Sequence, residues 1–218
     1  SFLTKTKYTH IYTGTTLATS SRDRLVHIFR HENDNSLKCV QTLENHSSTV
    51  NRVRWDVKGS RLMTCGADQS VVICEKRSET ELKRVQLLNV ARGSVYDMDI
   101  DAGNKFLVTA SQDKMLNIWN VSGATKPSLV RRYKINSEND SEGCCAYRVR
   151  LDPSGLFVAV CCFDKWIRIL DFYSGSVVAR FMGHADLVTS LKWTSDCERV
   201  VTVSGDGCIF LWKIHPSL

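Results

Sequence analysis

Short apolar runs in threes and fours, each set punctuated by an aspartate at the same place, predict an all-β chain built as blades of a β-propeller. The aspartates are Asp23, Asp68, Asp113, Asp164 and Asp206, spaced 45, 45, 51 and 42 residues apart. Twelve residues before four of them, Asp56, Asp101, Asp152 and Thr194 each close an alternating run. A strand-rich repeat of this period points to a binding surface and away from catalysis.

The elements follow in order within each copy. The innermost strands are VNRVRW, VYDMDI, AYRVRL and VTSLKW, whose apolar residues alternate as in a half-buried strand. Counting back twelve residues from Asp23 reaches Ile11, so KTKYTHI is the innermost strand of the first copy. Turn formers come next, as in Asp56-Val-Lys-Gly59, Asp101-Ala-Gly-Asn104 and Asp152-Pro-Ser-Gly155. Proline second and glycine fourth suit a type I turn. A second strand then leads to the repeated Asp, and a third ends six residues after it at Phe29, Cys74, Trp119, Leu170 or Trp212. These intervals are constant, as expected of hairpins whose register is fixed by their turns.

The variation lies after the third strand. The gaps from each repeated Asp to the next strand-ending position are 33, 33, 39 and 30 residues. They hold the fourth, outer runs SLKCVQTL, LKRVQLLNV, SLVRRYKI and SVVARFM. The longest gap carries the acidic stretch 136–143, read as an exposed loop. The expected blades are residues 1–45, 46–90, 91–141, 142–183 and 184–218, the last without its outer strand. An open array exposes strand edges that natural proteins cover. The whole stretch 1–218 therefore reads as a fragment of a ring of about seven blades.

Composition narrows the function. With only three prolines and no low-complexity segment, no linker divides the 218 residues. No apolar run approaches the ~20 residues that span a bilayer, and the start SFLTKTKYTH lacks the apolar core of a signal peptide, so no membrane partner is expected. Nine cysteines include Cys65, Cys74, Cys161, Cys162 and Cys208 in or beside apolar runs, where cysteine acts as a small buried hydrophobe. No CxxC pair occurs, so neither a metal site nor a disulfide framework is expected, and a reducing, cytoplasmic setting is. The net charge of +6 gathers at Lys83-Arg84, Arg131 to Lys134 and Arg148-Val149-Arg150. Those residues alternate with apolar ones and 23 acidic residues are interspersed, so solvated outer strands are favoured over a nucleic-acid surface.

The last copy carries Gly183-His184, Ser204, Asp206 and Trp212. This pattern resembles the WD-repeat β-propeller family over nearly the whole chain. The resemblance implies that His, Ser, Asp and Trp form a hydrogen-bonded chain within a blade. The other copies hold parts of it. The first has Ser21 and Asp23, and the second has His46 and Asp68 with Gly66 and Cys74 in the remaining slots. The third has Ser111, Asp113 and Trp119 with Ala91 in the His slot. The fourth keeps Asp164 alone, with Glu142, Cys162 and Leu170 elsewhere, so a softer fourth blade is expected.

Several segments are similar to the mitogen-activated protein kinase-binding protein 1 family and its mitotic-spindle paralogue. They are Ser21-Arg-Asp-Arg-Leu-Val-His27, Tyr96-Asp-Met-Asp99, Asp171-Phe-Tyr-Ser-Gly175, Phe181-Met-Gly-His-Ala185 and Val203 to Trp212. That resemblance implies part of a second propeller in a kinase-signalling scaffold at centrosomes, spindle poles or cilia. Its implied partners are kinase-pathway, centrosomal or spindle proteins. Its kinase-docking motifs lie in a tail beyond this stretch.

His184, Ser204 and Asp206 have the residue types of a nucleophilic triad. The same spacing recurs degraded in other copies, and no Gly-x-Ser-x-Gly elbow surrounds Ser204, so a structural strut is expected and no catalytic residue. Asp97, Asp99, Asp101 and Asp113 lack the spacing and glycine bend of a calcium loop, and no Gly-rich phosphate cradle occurs, so no cofactor is expected. The expected partner-binding positions flank the repeated Asp and the start of each innermost strand. They are Arg22, Asn51, Tyr96, Gln112, Tyr147, Phe163 and Leu187, with Thr49, Ser94, Cys145 and Thr189 beside them. Tyr96 and Tyr147 are either exposed anchors or rings packed in the central channel, positions one residue apart. Two other functions stay open: binding of RNA or an acidic partner through the basic outer strands, and architectural self-association.

Overall fold

In the computed structural model the described residues are 6–12, 16–32, 36–78, 80–123, 126–135 and 143–214, with side chains described from residue 16 onward. All of the regular structure among them is β. The first sheet runs in order through Thr6–Tyr12 (β1), Thr16–Ser21 (β2), Val26–His31 (β3) and Leu37–Leu43 (β4). The second comprises Val50–Trp55 (β5), Arg61–Gly66 (β6), Ser70–Lys76 (β7) and Leu82–Asn89 (β8). Val95–Ile100 (β9), Phe106–Ser111 (β10), Met115–Asn120 (β11) and Ser128–Lys134 (β12) make the third. The fourth holds Ala146–Leu151 (β13), Phe157–Cys162 (β14), Ile167–Asp171 (β15) and Val177–Phe181 (β16). Val188–Trp193 (β17), Arg199–Ser204 (β18) and Ile209–Lys213 (β19) form a three-stranded fifth. Every sheet is an antiparallel meander, the architecture of propeller blades. The acidic stretch expected as a loop lies, apart from Gly143, outside the described residues.

The chain divides into two compact units, residues 1–96 and 97–218. In the first, Ala18, Val26 and Ile28 pack against Val50, Val53, Trp55, Leu62 and Val72. In the second, Val108, Leu116 and Ile118 pack against Val149, Leu151, Val158, Val160 and Phe172. Each core is thus two sheet faces pressed together, which is why second strands such as β6 and β14 are buried on both faces and read as continuous apolar runs. Outer strands such as β4 and β12 stay largely exposed, and they carry charges such as Lys38, Arg132 and Lys134.

Both turns repeat at the level of backbone torsion. The residue after each repeated Asp has positive φ in all five copies: Arg24, Gln69, Lys114, Lys165 and Gly207. The Asp side chain accepts the amide two residues on, from Leu25, Ser70, Met115, Trp166 or Cys208. This side-chain turn holds four L-residues in a left-handed conformation that is costly for them. The other turn places Gly59, Asn104, Gly155 and Cys197 at positive φ, each amide donating to the carbonyl three residues back.

The innermost strands share one irregularity. Their register slips after the first residue, between Val50 and Arg52, Ala146 and Arg148, and Val188 and Ser190. Such a bulge leaves one residue unpaired and re-aims its side chain. Asn51, Tyr147 and Thr189 are those residues.

Candidate functional site

The Asp turns anchor two kinds of feature, an internal strut and an outward face. In the second sheet, buried His46 sets its Nδ1 2.9 Å from Asp68 Oδ2 and its Nε2 2.7 Å from Thr64 Oγ1. Asp68 also accepts the Ser47 amide at 3.0 Å and the Ser70 hydroxyl at 2.8 Å. Gly66 is required there, because a Cβ would lie 2.8 Å from the Thr49 carbonyl oxygen and 3.0 Å from His46 Nδ1. Burial holds the His46 pKa below 6.5, with the Asp68 carboxylate pulling the other way.

The fifth sheet carries the longest chain of bonds. His184 Nδ1 lies 3.0 Å from Asp206 Oδ2, its Nε2 lies 2.8 Å from Thr202 Oγ1, and Trp212 Nε1 donates to that hydroxyl at 2.8 Å. Asp206 also accepts the Cys208 and Ala185 amides, and its pKa falls to about 2, chiefly from the Cys208 amide. Ser204, placed in this set by spacing, is elsewhere: its hydroxyl donates to the Asp186 carbonyl at 3.0 Å. Thr202, two residues earlier on the same strand face, takes the slot. The triad geometry is therefore not assembled, since His184 meets Thr202 and not Ser204.

The remaining copies vary. In the third, Ser111 donates to Asp113, but with Ala91 in the His slot the buried Thr109 hydroxyl and Trp119 indole N–H find no partner among the described residues. The fourth is not left without a tie. Arg168, whose side chain is 4% exposed, grips Asp164 with two nitrogens at 3.0 and 2.5 Å. In the first, Asp23 holds its own turn and Ser21 is buried.

The outward face differs from its expected composition. Arg22 and Gln112 are exposed, Phe163 is 46% exposed, and Tyr96 and Leu187 are partly covered. Tyr147 is a correction: it is buried, and its hydroxyl donates to the carbonyl of Val188, the first residue of β17. Asn51 does the equivalent in the first unit, donating its amide to Val95 at the start of β9 at 2.7 Å. Both are bulge residues, and the bulge turns them toward the next sheet's strand. In the second unit, the Phe163 ring lies 4.8 Å from the Tyr147 ring, and the Arg148 guanidinium lies 5.6 Å from that ring on a bond to the Thr189 carbonyl. Lys165 reaches the Ala185 carbonyl. An exposed aromatic, a buried aromatic beneath it and flanking cations thus form one patch.

Of the basic clusters, Arg150 is buried, Arg131 and Arg148 are half-buried, and Lys83, Arg84, Arg132 and Lys134 stay exposed. Arg150 pairs with buried Asp97 at 2.8 Å, Arg132 donates to Asn117, and Arg131 lies over Phe172 and Tyr173. Asp97 and Asp99 accept the Val149 and Leu151 amides, and Asp101 holds its own turn. All nine cysteines are free thiols. Cys208, expected among the buried ones, is exposed, because it follows the Asp206 turn. Cys144, Cys162 and Asp164 bring ligand-type atoms within 4.8 Å of one another. No helix among the described residues is long and apolar enough to cross a membrane.

Comparison with known proteins adds three findings. The family model described as WD domain, G-beta repeat matches residues 37–74, 83–120 and 175–213. WD repeat-containing protein 62 of Mus musculus is 39% identical over 97% of this chain. Mitogen-activated protein kinase-binding protein 1 of Homo sapiens is 34% identical over 93% of it. The chain spans only 14% and 13% of those two relatives, so it corresponds to part of a much longer protein in each.

Proposed function

Since the chain belongs to the WD domain, G-beta repeat family, we propose that it is a non-catalytic protein-interaction module of an intracellular scaffold. The observation that carries this reading is the patch around Phe163. A large apolar ring, 46% exposed, packs on a buried tyrosine, with Arg148 against that tyrosine and Lys165 two residues further along the Asp164 turn. Rigid aromatic anchors with flanking cations suit an interface, since few side chains need ordering on binding. Gln112 and Leu187 extend this surface within the second unit, and Arg22 offers an exposed cation in the first. The name of one relative records binding of a mitogen-activated protein kinase. Kinase signalling, in a centrosomal, spindle or ciliary setting, is accordingly the context proposed here, with the five blades forming part of a larger propeller.

The test compares full-length protein with a Phe163→Glu, Gln112→Ala variant in affinity capture, with circular dichroism reporting the fold. Loss of kinase-pathway or centrosomal proteins by tenfold or more, with the fold intact, supports the reading. Identical catches from both proteins refute it.

A further inference from the structure

The fourth sheet replaces the His strut with sulfur and guanidinium. Cys162 occupies the slot two before Asp164, and Arg168 takes over the grip on that carboxylate. The space is shared by Cys144, which precedes β13 in irregular chain and donates its amide to the Ile135 carbonyl at 2.8 Å. Ala146 is the register partner of Cys162, and the Phe163 amide donates to the Cys145 carbonyl. Cys144 therefore lies just past the ladder, with its sulfur within 4.8 Å of the Cys162 sulfur.

We propose that Cys144 and Cys162 are an oxidant-responsive thiol pair, in which peroxide oxidises Cys144 and Cys162 resolves it as a disulfide. Access fits the roles, since Cys144 is partly exposed whereas Cys162 is fully buried. So does charge. Cys144 is drawn down to about 7 by a hydrogen bond from the Cys162 thiol, by the Asp164 amide and by Arg168. Cys162 is raised well above the ordinary thiol range by its bond to Cys144 and by burial. Ionisation of Cys144 is thus eased while Cys162 keeps its proton, and the Cys144 thiol has only a long 3.7 Å bond to the Cys145 carbonyl to give up. The neighbours do not compete: Cys145 donates to the Gln112 carbonyl and Cys161 is fully buried. A cation among Cys144, Cys162 and Asp164 is disfavoured, because Arg168 already neutralises that carboxylate.

The chemistry balances with hydrogen peroxide as the oxidant. The Cys144 thiolate attacks one peroxide oxygen, the S–O bond forms, the O–O bond breaks, and hydroxide leaves to become water. Cys162 sulfur then attacks the sulfenic sulfur. The S–S bond forms, the S–O bond breaks, and the departing hydroxide takes the Cys162 proton as a second water. Two thiols lose two electrons, and peroxide gains them. The sulfurs have about 3 Å at most to close before reaching disulfide length.

The experiment treats full-length protein with graded hydrogen peroxide at pH 7, blocks free thiols and maps tryptic peptides by mass spectrometry. A disulfide joining peptide 135–148 to peptide 151–165, reversed by dithiothreitol, is expected. It survives Cys145→Ser and Cys161→Ser and vanishes in Cys144→Ser. In Cys162→Ser, a sulfenic acid trappable by dimedone accumulates on Cys144. Cys144 should react about threefold faster than an ordinary exposed thiol, since its larger thiolate fraction is partly offset by lower nucleophilicity. Linkage through Cys145 or Cys161 instead, or oxidation of Cys144 no faster than of exposed Cys39 and Cys208, overturns the proposal.

Discussion

Replacing Thr202 with valine tests the strut where it is most complete. Valine keeps the shape of threonine and removes one hydroxyl. That hydroxyl is fully buried, lies 2.8 Å from His184 Nε2 and accepts Trp212 Nε1 at 2.8 Å. Its loss strands two ring nitrogens. The His184 nitrogen cannot reach water, because the side chain is 0% exposed, whereas the partly exposed indole can. A stranded buried polar group costs about 1–3 kcal/mol, so the expected loss is about 1–3 kcal/mol, with the indole adding little. For a chain of this size that lowers Tm by about 2–12 °C. Ser204→Ala is the control, since the hydroxyl's bond to the Asp186 carbonyl is exposed and its bond from the Asp206 amide is long at 3.3 Å, so the pair is worth about 1 kcal/mol or less. Urea unfolding with an unchanged m-value reads both differences directly. If Ser204→Ala destabilises as much as Thr202→Val, the assignment of the strut to Thr202 is wrong.

Two further outcomes follow from the turns and the second sheet. Gln69 holds φ of 67° without a glycine's freedom, so Gln69→Gly should raise stability by about 0.5–1 kcal/mol in the same urea assay, and a loss would refute the strain argument. The His46 pKa is held below its unfolded 6.5, so between those values the unfolded chain binds more protons. The stability from neutral His46 is complete above pH 6.5 and erodes as pH falls from there toward the folded value. Unfolding at pH 7 and pH 5 should show that drop, and His46→Gln should shrink it; an unchanged drop in the variant removes His46 as its source.

The architecture could be read in the chain because every copy spends the same residue on the same torsion. An aspartate that accepts the amide two residues on keeps its spacing to the strands on either side, so periodicity survives where side-chain identity does not. The strut was only half legible. Thr19, Thr64, Thr109 and Thr202 all stand four residues before the repeated Asp, a signal present in the sequence, yet serine two before it drew the assignment. Positions two apart share a strand face, so spacing alone did not separate them. Arg168 was missed because the partner of Asp164 comes from the strand after it, not from the loop before. Tyr147 was ambiguous for a different reason: the bulge breaks the two-residue alternation on which inward and outward are judged.

Unequal struts also bear on how a chain of look-alike segments finds its own partners. Five hairpins of equal length and similar apolar pattern could trade strands during folding, a characteristic error of repeat proteins. Here the copies are keyed differently. His46 and His184 each answer an aspartate from upstream, Arg168 answers Asp164 from downstream, and the third copy has Ala91 in the His slot. Arg168 and Asp164 are four residues apart, so that tie stays within its own turn, whereas His46 and His184 are each matched to an aspartate 22 residues on. The unequal partners give otherwise similar copies distinct polar interiors.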